Sequence, residues 1–209
     1  MHHLGLVGSL QDLAASYYCL KQNIATSENA AIEIASSNAT LDCRGRSLTR
    51  ERATNDAFAI YTGNDPVQDV TVRSCKIVNF ATGILFGLRS ERIQIIGNDI
   101  LKAQLDGIVL WGSDSKIAGN SVINTHNTWY DYSRNITVTA FEPGVPSWGN
   151  SITNNVVAGA YGNATIWGIR ADMTESILIN NNEIVDLQPN EGGFAAAINS
   201  DGTTAQVIG

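Results

Sequence analysis

One short pattern returns through most of the 209-residue chain: an aliphatic residue, an asparagine three positions later, and Ile or Val two positions after that. The copies begin at Val72, Ile95, Ile117, Ile152 and Ile179, with an earlier variant at Leu41. The asparagines of this pattern are Asn98, Asn120, Asn155 and Asn182, and Cys75 takes that place in the first full copy. Recurrence at intervals of about 22 to 35 residues indicates a stack of similar structural units.

A second pattern lies between successive copies, as a small or polar residue followed by isoleucine. It occurs at Gly83-Ile84, Gly107-Ile108, Asn135-Ile136, Gly168-Ile169 and Ala197-Ile198. All these segments are short, β-branched and alternating, which predicts strands with one buried face. A period of about 22 residues is too short for a β-α-β unit, but it suits one coil of a single-stranded parallel β-helix. The sequence therefore predicts an all-β solenoid.

In such a coil each strand pairs with its copy one turn later, about 4.8 Å along the axis. The four recurring asparagines then stack, and each side chain donates a hydrogen bond to the next one and to turn backbone. The alternative is that asparagine recurs only because it is a common turn residue.

The entry segment Ala31–Asp42 and the repeats after it resemble the right-handed parallel β-helix proteins of the pectate-lyase-like superfamily. The resemblance covers residues 24–209 and implies about six to seven coils. It also implies an extracellular or periplasmic protein. We expect residues 1–23 to form an N-terminal cap, with Leu10–Leu20 as a short helix or strand. The first five residues look like a trimmed or added start.

The last residues, Val207-Ile208-Gly209, look like the start of another copy. This predicts that the β-helix domain is truncated here, and that further coils, another subunit or a tail caps it. An oligomer is one of these alternatives.

Composition agrees with one repetitive domain, since 44% of the residues are hydrophobic and 16% are charged. The net charge of −7 gives no electrostatic support to a nucleic-acid partner. No run is long enough to predict a membrane span. Of the three cysteines, Cys19 and Cys43 would pair in an exported protein, and buried thiols are the alternative.

The repeat expands between residues 124 and 148, where its spacing grows from 22 to 35 residues. In solenoids such insertions become loops on one face, and that face often binds ligands. The insertion is rich in aromatic and charged side chains, which suit sugar binding: Trp129, Tyr130, Tyr132, Phe141 and Trp148, with His126, Asp131, Arg134 and Glu142. Of these, Trp129, Tyr130, Glu142 and Trp148 are the candidate substrate-binding residues. The alternative is a loop with a small core of its own.

Strand alternation gives a second set of candidates. In the Gly-Ile pattern, Ile and the residue two positions later face inward, so the residues after each of them face outward. The outward pairs are Leu85/Gly87, Val109/Trp111, Thr137/Thr139, Arg170/Asp172 and Asn199/Asp201. Asp172 and Asp201 then occupy one column on consecutive coils, about 5 Å apart at Cα.

Two carboxylates that close share a proton, bind a cation such as Ca²⁺, or flank a substrate bond. We therefore predict Asp172, Asp201 and Arg170 as catalytic residues, with Asp172 and Asp201 as alternative metal ligands. Trp111, Thr139 and Asn199 join the substrate-binding set. The alternative is that these are ordinary surface aspartates neutralised by Arg170.

The resemblance implies a groove on this strand, walled by the long loops, and activity on uronic-acid polysaccharides as a lyase, epimerase or hydrolase. The family's recognisable active-site motifs are absent: there is no Arg-x-Pro-x-x-Arg, no Asn-Thr-Asp with Asp-Asp and Gly-His-Gly, and no Asp-Pro-His. Three hypotheses follow: a polysaccharide-active enzyme, a non-catalytic carbohydrate-binding stem of a surface or tailspike-like protein, and a structural spacer.

Overall fold

The computed structural model describes residues 2–4, 17–63, 65–127, 132–140, 147–162, 165–201 and 204–208. Within these ranges the regular elements are all β-strands, and no helix there could cross a membrane. The first fourteen strands are β1 His2–Leu4, β2 Tyr17–Leu20, β3 Ile24–Thr26, β4 Ala30–Glu33, β5 Thr40–Asp42, β6 Ser47–Arg50, β7 Phe58–Tyr61, β8 Thr71–Arg73, β9 Lys76–Val78, β10 Thr82–Glu91, β11 Gln94–Ile96, β12 Asp99–Leu101, β13 Asp106–Ser113 and β14 Lys116–Ala118. The second fourteen are β15 Ser121–Ile123, β16 His126–Asn127, β17 Tyr132–Thr139, β18 Ser147–Trp148, β19 Ser151–Thr153, β20 Val156–Ala158, β21 Tyr161–Gly162, β22 Thr165–Asp172, β23 Thr174–Glu175, β24 Ile177–Asn180, β25 Glu183–Val185, β26 Gln188–Pro189, β27 Phe194–Asp201 and β28 Ala205–Ile208.

These strands form three long sheets and two short ones. Sheet A has the order β1-β2-β5-β8-β11-β14-β19-β24-β28, sheet B β4-β7-β10-β13-β17-β22-β27, and sheet C β3-β6-β9-β12-β15-β20-β25. The short sheets are β16-β21-β26 and β18-β23. Among the described residues every paired strand runs parallel to its neighbour.

From β2 onward the chain visits sheet A, then C, then B, and repeats this circuit. This winding is a parallel β-helix, as the repeat predicted. Strand β2 belongs to the segment that the sequence analysis assigned to a cap, and it pairs with β5 in sheet A. Residues 5–16 lie outside the described part of the chain, so the cap and the number of coils stay predictions.

The core is a set of aliphatic columns along the helix axis. In sheet B the isoleucines of the Gly-Ile pattern pair with one another on successive strands, and their side chains are fully buried from Ile60 to Ile169. The column ends at Ile198, which is only half-buried, and Ser200 is exposed although alternation predicted an inward position. The reason is that β27 is the outermost strand of sheet B.

The recurring asparagines line up at the turn between sheets A and C. Asn98 Nδ2 donates to Asn120 Oδ1 at 3.0 Å, and Asn120 Nδ2 donates to Asn155 Oδ1 at 3.0 Å. Asn155 Nδ2 donates to Asn182 Oδ1 at 2.9 Å. Each amide group therefore satisfies its neighbour one coil away, which keeps a line of buried polar groups hydrogen-bonded.

A disulfide continues this column toward the N-terminus. Cys43 and Cys75 are bonded, with a Cα–Cα distance of 4.7 Å, and the Cys75 amide donates to Asn98 Oδ1 at 3.0 Å. The predicted Cys19–Cys43 pairing is wrong. Cys19 is buried on β2 beside Asp42, whereas Cys43 and Cys75 follow paired strands and meet at the same turn.

Asp42 connects the first described coils through hydrogen bonds and an ion pair. Its carboxylate accepts hydrogen bonds from Tyr17 Oη at 2.7 Å and from the Arg44 amide at 2.9 Å, and it pairs with Arg73 at 3.0 Å. Burial raises the pKa of Asp42, but the hydrogen bonds from Tyr17, Arg44 and Arg73 together outweigh it, so the pKa is lowered.

A group with a lowered pKa in the folded state stabilises the protein above its unfolded pKa, and that stability is lost as the pH falls through the folded pKa. We therefore expect Asp42→Asn to lower the free energy of unfolding at neutral pH by about 1–3 kcal/mol. The deficit should shrink once the pH falls below about 4. Urea unfolding at several pH values measures it, with the exposed Asp56→Asn as control. A deficit that does not change with pH would contradict this assignment.

Candidate functional site

From β10 onward the outer face of sheet B changes from apolar to polar and charged along the helix axis. One column of paired residues runs Glu33, Tyr61, Leu85, Val109, Thr137, Arg170, Asn199. Two positions further along the strands, Thr139, Asp172 and Asp201 are paired in the same way. Asp172 and Asp201 are therefore direct neighbours on consecutive coils, as strand alternation predicted.

A third outward column lies nearer the start of the strands and contains Asp106, Arg134 and Trp167. Simple alternation would turn these residues inward, because they precede the buried isoleucines by two positions. The intervening residue, which is Gly107, Asn135 or Gly168, explains the difference, because it takes a buried position on each strand. A Cβ added to Gly107 would lie 2.5 Å from Val122 Cγ1 in the core, so this position faces the core as the following isoleucine does. Each strand thus bends at this position, and the residue before it returns to the outer face.

Arg134 is held by a buried carboxylate. Its Nε lies 2.6 Å from Asp106 Oδ1 and its Nη2 lies 2.8 Å from Asp106 Oδ2, and the two side chains are 19% and 4% exposed. The guanidinium carbon also stands 4.8 Å from the centre of the Tyr132 ring. Burial raises the pKa of Asp106, and the contacts from Arg134 offset part of that shift. A bidentate pair of this kind fixes the orientation of the guanidinium plane.

Arg170 is oriented differently. Its guanidinium stands 4.4 Å from the centre of the Trp167 ring and forms an ion pair with Asp172 Oδ2. Burial raises the pKa of Asp172, and the charge of Asp201 adds to this, while Arg170 and Arg134 oppose it. Asp172 is therefore a buried carboxyl between two arginines and one neighbouring carboxylate.

These groups line one groove of about 290 Å³, at the low end of the range for small-ligand sites. Its walls are Trp111, Arg134, Thr137, Thr139, Ala140, Arg170, Asp172 and Met173. The Trp111 ring lies beside Gly87, where an added Cβ would make ordinary van der Waals contact with Trp111 Cε3 at 3.4 Å. The groove therefore combines an indole, two guanidiniums and a carboxylate.

Three buried polar atoms in this groove have no hydrogen-bond partner among the described residues: Thr137 Oγ1, Asp172 Oδ1 and Arg170 Nε, the last of which is in the ion pair with Asp172 Oδ2. Thr137 and Val109 are almost fully buried although they face outward, so the face is more covered than alternation predicted. The long arginine and tryptophan side chains of the neighbouring columns account for this cover. Native proteins satisfy such atoms with a protein group, an ordered water or a ligand, so the open groove beside them leaves room for a polar partner.

The other predicted site residues are placed less centrally. Asn199 and Asp201 pair with Arg170 and Asp172 on the outermost strand of sheet B, but they do not line the groove. Trp148 is exposed on β18 beside Glu175 and is also outside the groove. Trp129, Tyr130 and Glu142 lie outside the described residues, as do Asp131 and Phe141.

The groove does not fit Ca²⁺, which takes six to eight oxygen ligands. Asp172 already pairs with Arg170, and Arg134 adds a second positive charge. Across the described ranges no group of three or more His, Cys, Asp and Glu side chains could hold a metal ion. The local charge instead suits an anionic group.

Sequence reasoning missed the roles of Asp106, Trp167 and Met173 in and around this groove. Alignment of the repeats would have found the first two, because the residue before each Gly-Ile pair forms one column. No sequence signal identifies Met173, which follows β22 with a left-handed backbone.

The chain is thus a parallel β-helix protein with a charged, aromatic groove on one sheet. No protein-family model and no curated protein matches its sequence. The chain is similar to the crystal structure of the Dettilon tailspike protein, with 11% identity and a TM-score of 0.42 over 99% of this chain. It spans about half of that protein's length, 55%. The A-module of Azotobacter vinelandii mannuronan C-5 epimerase is similar with 10% identity and a TM-score of 0.28, over 92% of this chain and 72% of that one. The strand registers themselves establish the parallel β-helix.

Proposed function

We propose that this protein binds an acidic polysaccharide in the sheet B groove and cleaves it by hydrolysis. The observation that carries the proposal is the convergence of Trp111, Arg170 and the buried Asp172 on one groove. An indole face packs against the C–H face of a sugar ring, and arginine pairs with a carboxylate or sulfate in a fixed geometry. These are the two kinds of contact that an acidic sugar requires.

The two aspartates supply the chemistry in this proposal. Asp172 is buried, and its raised pKa suits a general acid that protonates the leaving oxygen. Asp201 is exposed on the adjacent strand and serves as nucleophile or base. Paired residues on neighbouring parallel strands lie about 5 Å apart at Cα, which allows their carboxyl groups to take up the separation of about 5–5.5 Å that retaining glycosidases use. Lyase and epimerase chemistry on the same glycan are the alternatives that products distinguish.

A second candidate is a non-catalytic carbohydrate-binding stem. It is favoured by the ion pair between Arg170 and Asp172, which neutralises the carboxylate that hydrolysis would use. The site then binds without turnover.

We also propose that the protein works outside the cytoplasm. The Cys43–Cys75 disulfide supports this, because structural disulfides persist mainly in oxidising compartments.

Incubation with a panel of acidic polysaccharides tests the proposal. Hydrolysis is expected to release new reducing ends without ultraviolet absorbance from an unsaturated sugar, whereas a lyase produces that absorbance and an epimerase changes the sugar NMR spectrum without cleavage. Saturable binding with no product on any member would support the binding stem. A panel that shows neither binding nor product would overturn both candidates.

A further inference from the structure

Arg134 and Arg170 are not equivalent, although both line the groove. The Nε of Arg170 is directed at Asp172, a residue with a proposed role in the reaction. The Nε and Nη2 of Arg134 contact Asp106, which is buried, lies outside the groove lining and has no part in the proposed chemistry. Arg170 therefore contacts a group with a proposed role in the reaction, whereas Arg134 is oriented by a structural carboxylate.

Among the described residues, none occupies one edge of the Arg134 guanidinium. Its third nitrogen, Nη1, makes no hydrogen bond to any described residue. The pair with Asp106 and the Tyr132 ring limit the movement of the group, so little side-chain entropy remains to be lost when it binds. Such a preorganised donor with charge favours an oxyanion over a neutral hydroxyl.

The net charge of the groove also favours an anionic ligand. Arg134, Arg170 and Asp172 together carry one net positive charge when Asp172 is ionised, in a chain whose overall charge is −7. This local positive site on an acidic protein attracts an anion at short range, while the rest of the surface repels one.

We propose that Arg134 is the specificity-determining residue that binds the anionic group, carboxylate or sulfate, of the glycan, and that Asp106 is its positioning residue. This inference rests on the proposed function. It moves the contact with the sugar acid from Arg170, which was named above together with Trp111 and Asp172, to Arg134. In this arrangement Arg134 selects the substrate by its charge, and Arg170 accompanies Asp172.

The first test measures binding by calorimetry with oligogalacturonate, its fully methyl-esterified form and a sulfated oligosaccharide of similar length. Arg134→Gln is expected to weaken binding of the matching charged oligomer by about 10- to 100-fold, the range for a hydrogen bond to a charged group. It should leave binding of the methyl ester unchanged. Arg92→Gln is the matched control, because Arg92 pairs with Asp69 away from the groove.

Comparison of the carboxylated with the sulfated oligomer identifies the anion. An Arg134→Gln variant that binds every oligomer like Arg92→Gln would overturn the inference and leave the proposed function standing.

The second test does not depend on a glycan. Arginine side-chain NMR signals are followed during titration with sodium acetate and sodium sulfate. A saturable shift of the Arg134 signal, without one at Arg92, is expected. If this shift occurs but no glycan binds, the proposed function fails while the anion site stands. Equal, non-saturating shifts at both arginines would overturn the site.

Asp106→Asn separates positioning from folding. It is expected to weaken the acetate or sulfate response of Arg134 and, with an active glycan, to raise KM with little change in kcat. A thermal unfolding curve for the same variant records any structural effect. Unchanged Arg134 shifts in a folded Asp106→Asn protein would remove the positioning role.

Discussion

Replacing Asn120 by alanine is expected to cost about 3–6 kcal/mol of folding free energy. Asn120 Oδ1 accepts from both the backbone amide and Nδ2 of Asn98, each at 3.0 Å. Its Nδ2 donates to Ile95 O at 2.9 Å and to Asn155 Oδ1 at 3.0 Å. Truncation removes this partner from two donors, Asn98 N and Nδ2, and from two acceptors, Ile95 O and Asn155 Oδ1. Each buried unsatisfied group costs about 1–3 kcal/mol, and a domain has only about 5–15 kcal/mol in all.

Urea unfolding followed by circular dichroism measures this loss. Asn55→Ala is the control, because Asn55 is exposed and lies outside the asparagine column. Asn182→Ala should fall between the two, since Asn182 is half-buried at the last rung. If Asn120→Ala unfolds within 1 kcal/mol of the Asn55 control, which is about the net value of one hydrogen bond, the column does not stabilise the fold as described.

Much of the fold follows from the sequence because one winding imposes its constraints on the next. An aliphatic residue that faces the core must stack on its copy, so the isoleucines of the Gly-Ile pattern reveal the register before any coordinates. The same reasoning could have found the disulfide. Cys75 stands at an asparagine place, and Cys43 belongs to the preceding copy, so both meet at one turn. The predicted Cys19–Cys43 pairing rests only on the oxidising compartment of an exported protein, which carries no information about where the two residues lie.

The site is less predictable, because local backbone geometry decides which side chains face outward. Alternation correctly paired Asp172 with Asp201, yet it gave no warning that the residue before each isoleucine, Gly107 on β13 and Asn135 on β17, is buried and shifts the phase of its strand. That shift brings Arg134 to the outer face. Burial of Thr137 likewise depends on long side chains from adjacent columns, and a single strand pattern cannot contain that information.

Asp172→Asn is expected to lower kcat by about 10²- to 10⁴-fold on a polysaccharide that the wild-type protein cleaves. Asparagine keeps the shape of the side chain but cannot donate the proton that a leaving oxygen needs. In the wild type, activity should fall as the pH rises through the raised pKa of Asp172, because only the protonated form acts as the acid. Substrates with an activated leaving group need little protonation, so they should be much less affected by the substitution.

Asp99→Asn provides the matched control, with the same charge change on an exposed residue of sheet C. Asp201→Ala should lose activity toward both kinds of substrate if Asp201 is the nucleophile or base, which separates the two roles. Thermal unfolding of each variant shows whether lost activity reflects lost structure. Full turnover by Asp172→Asn would rule out the acid role, and full turnover by Asp201→Ala would rule out its partner. Two such results would assign the turnover to residues other than these two aspartates.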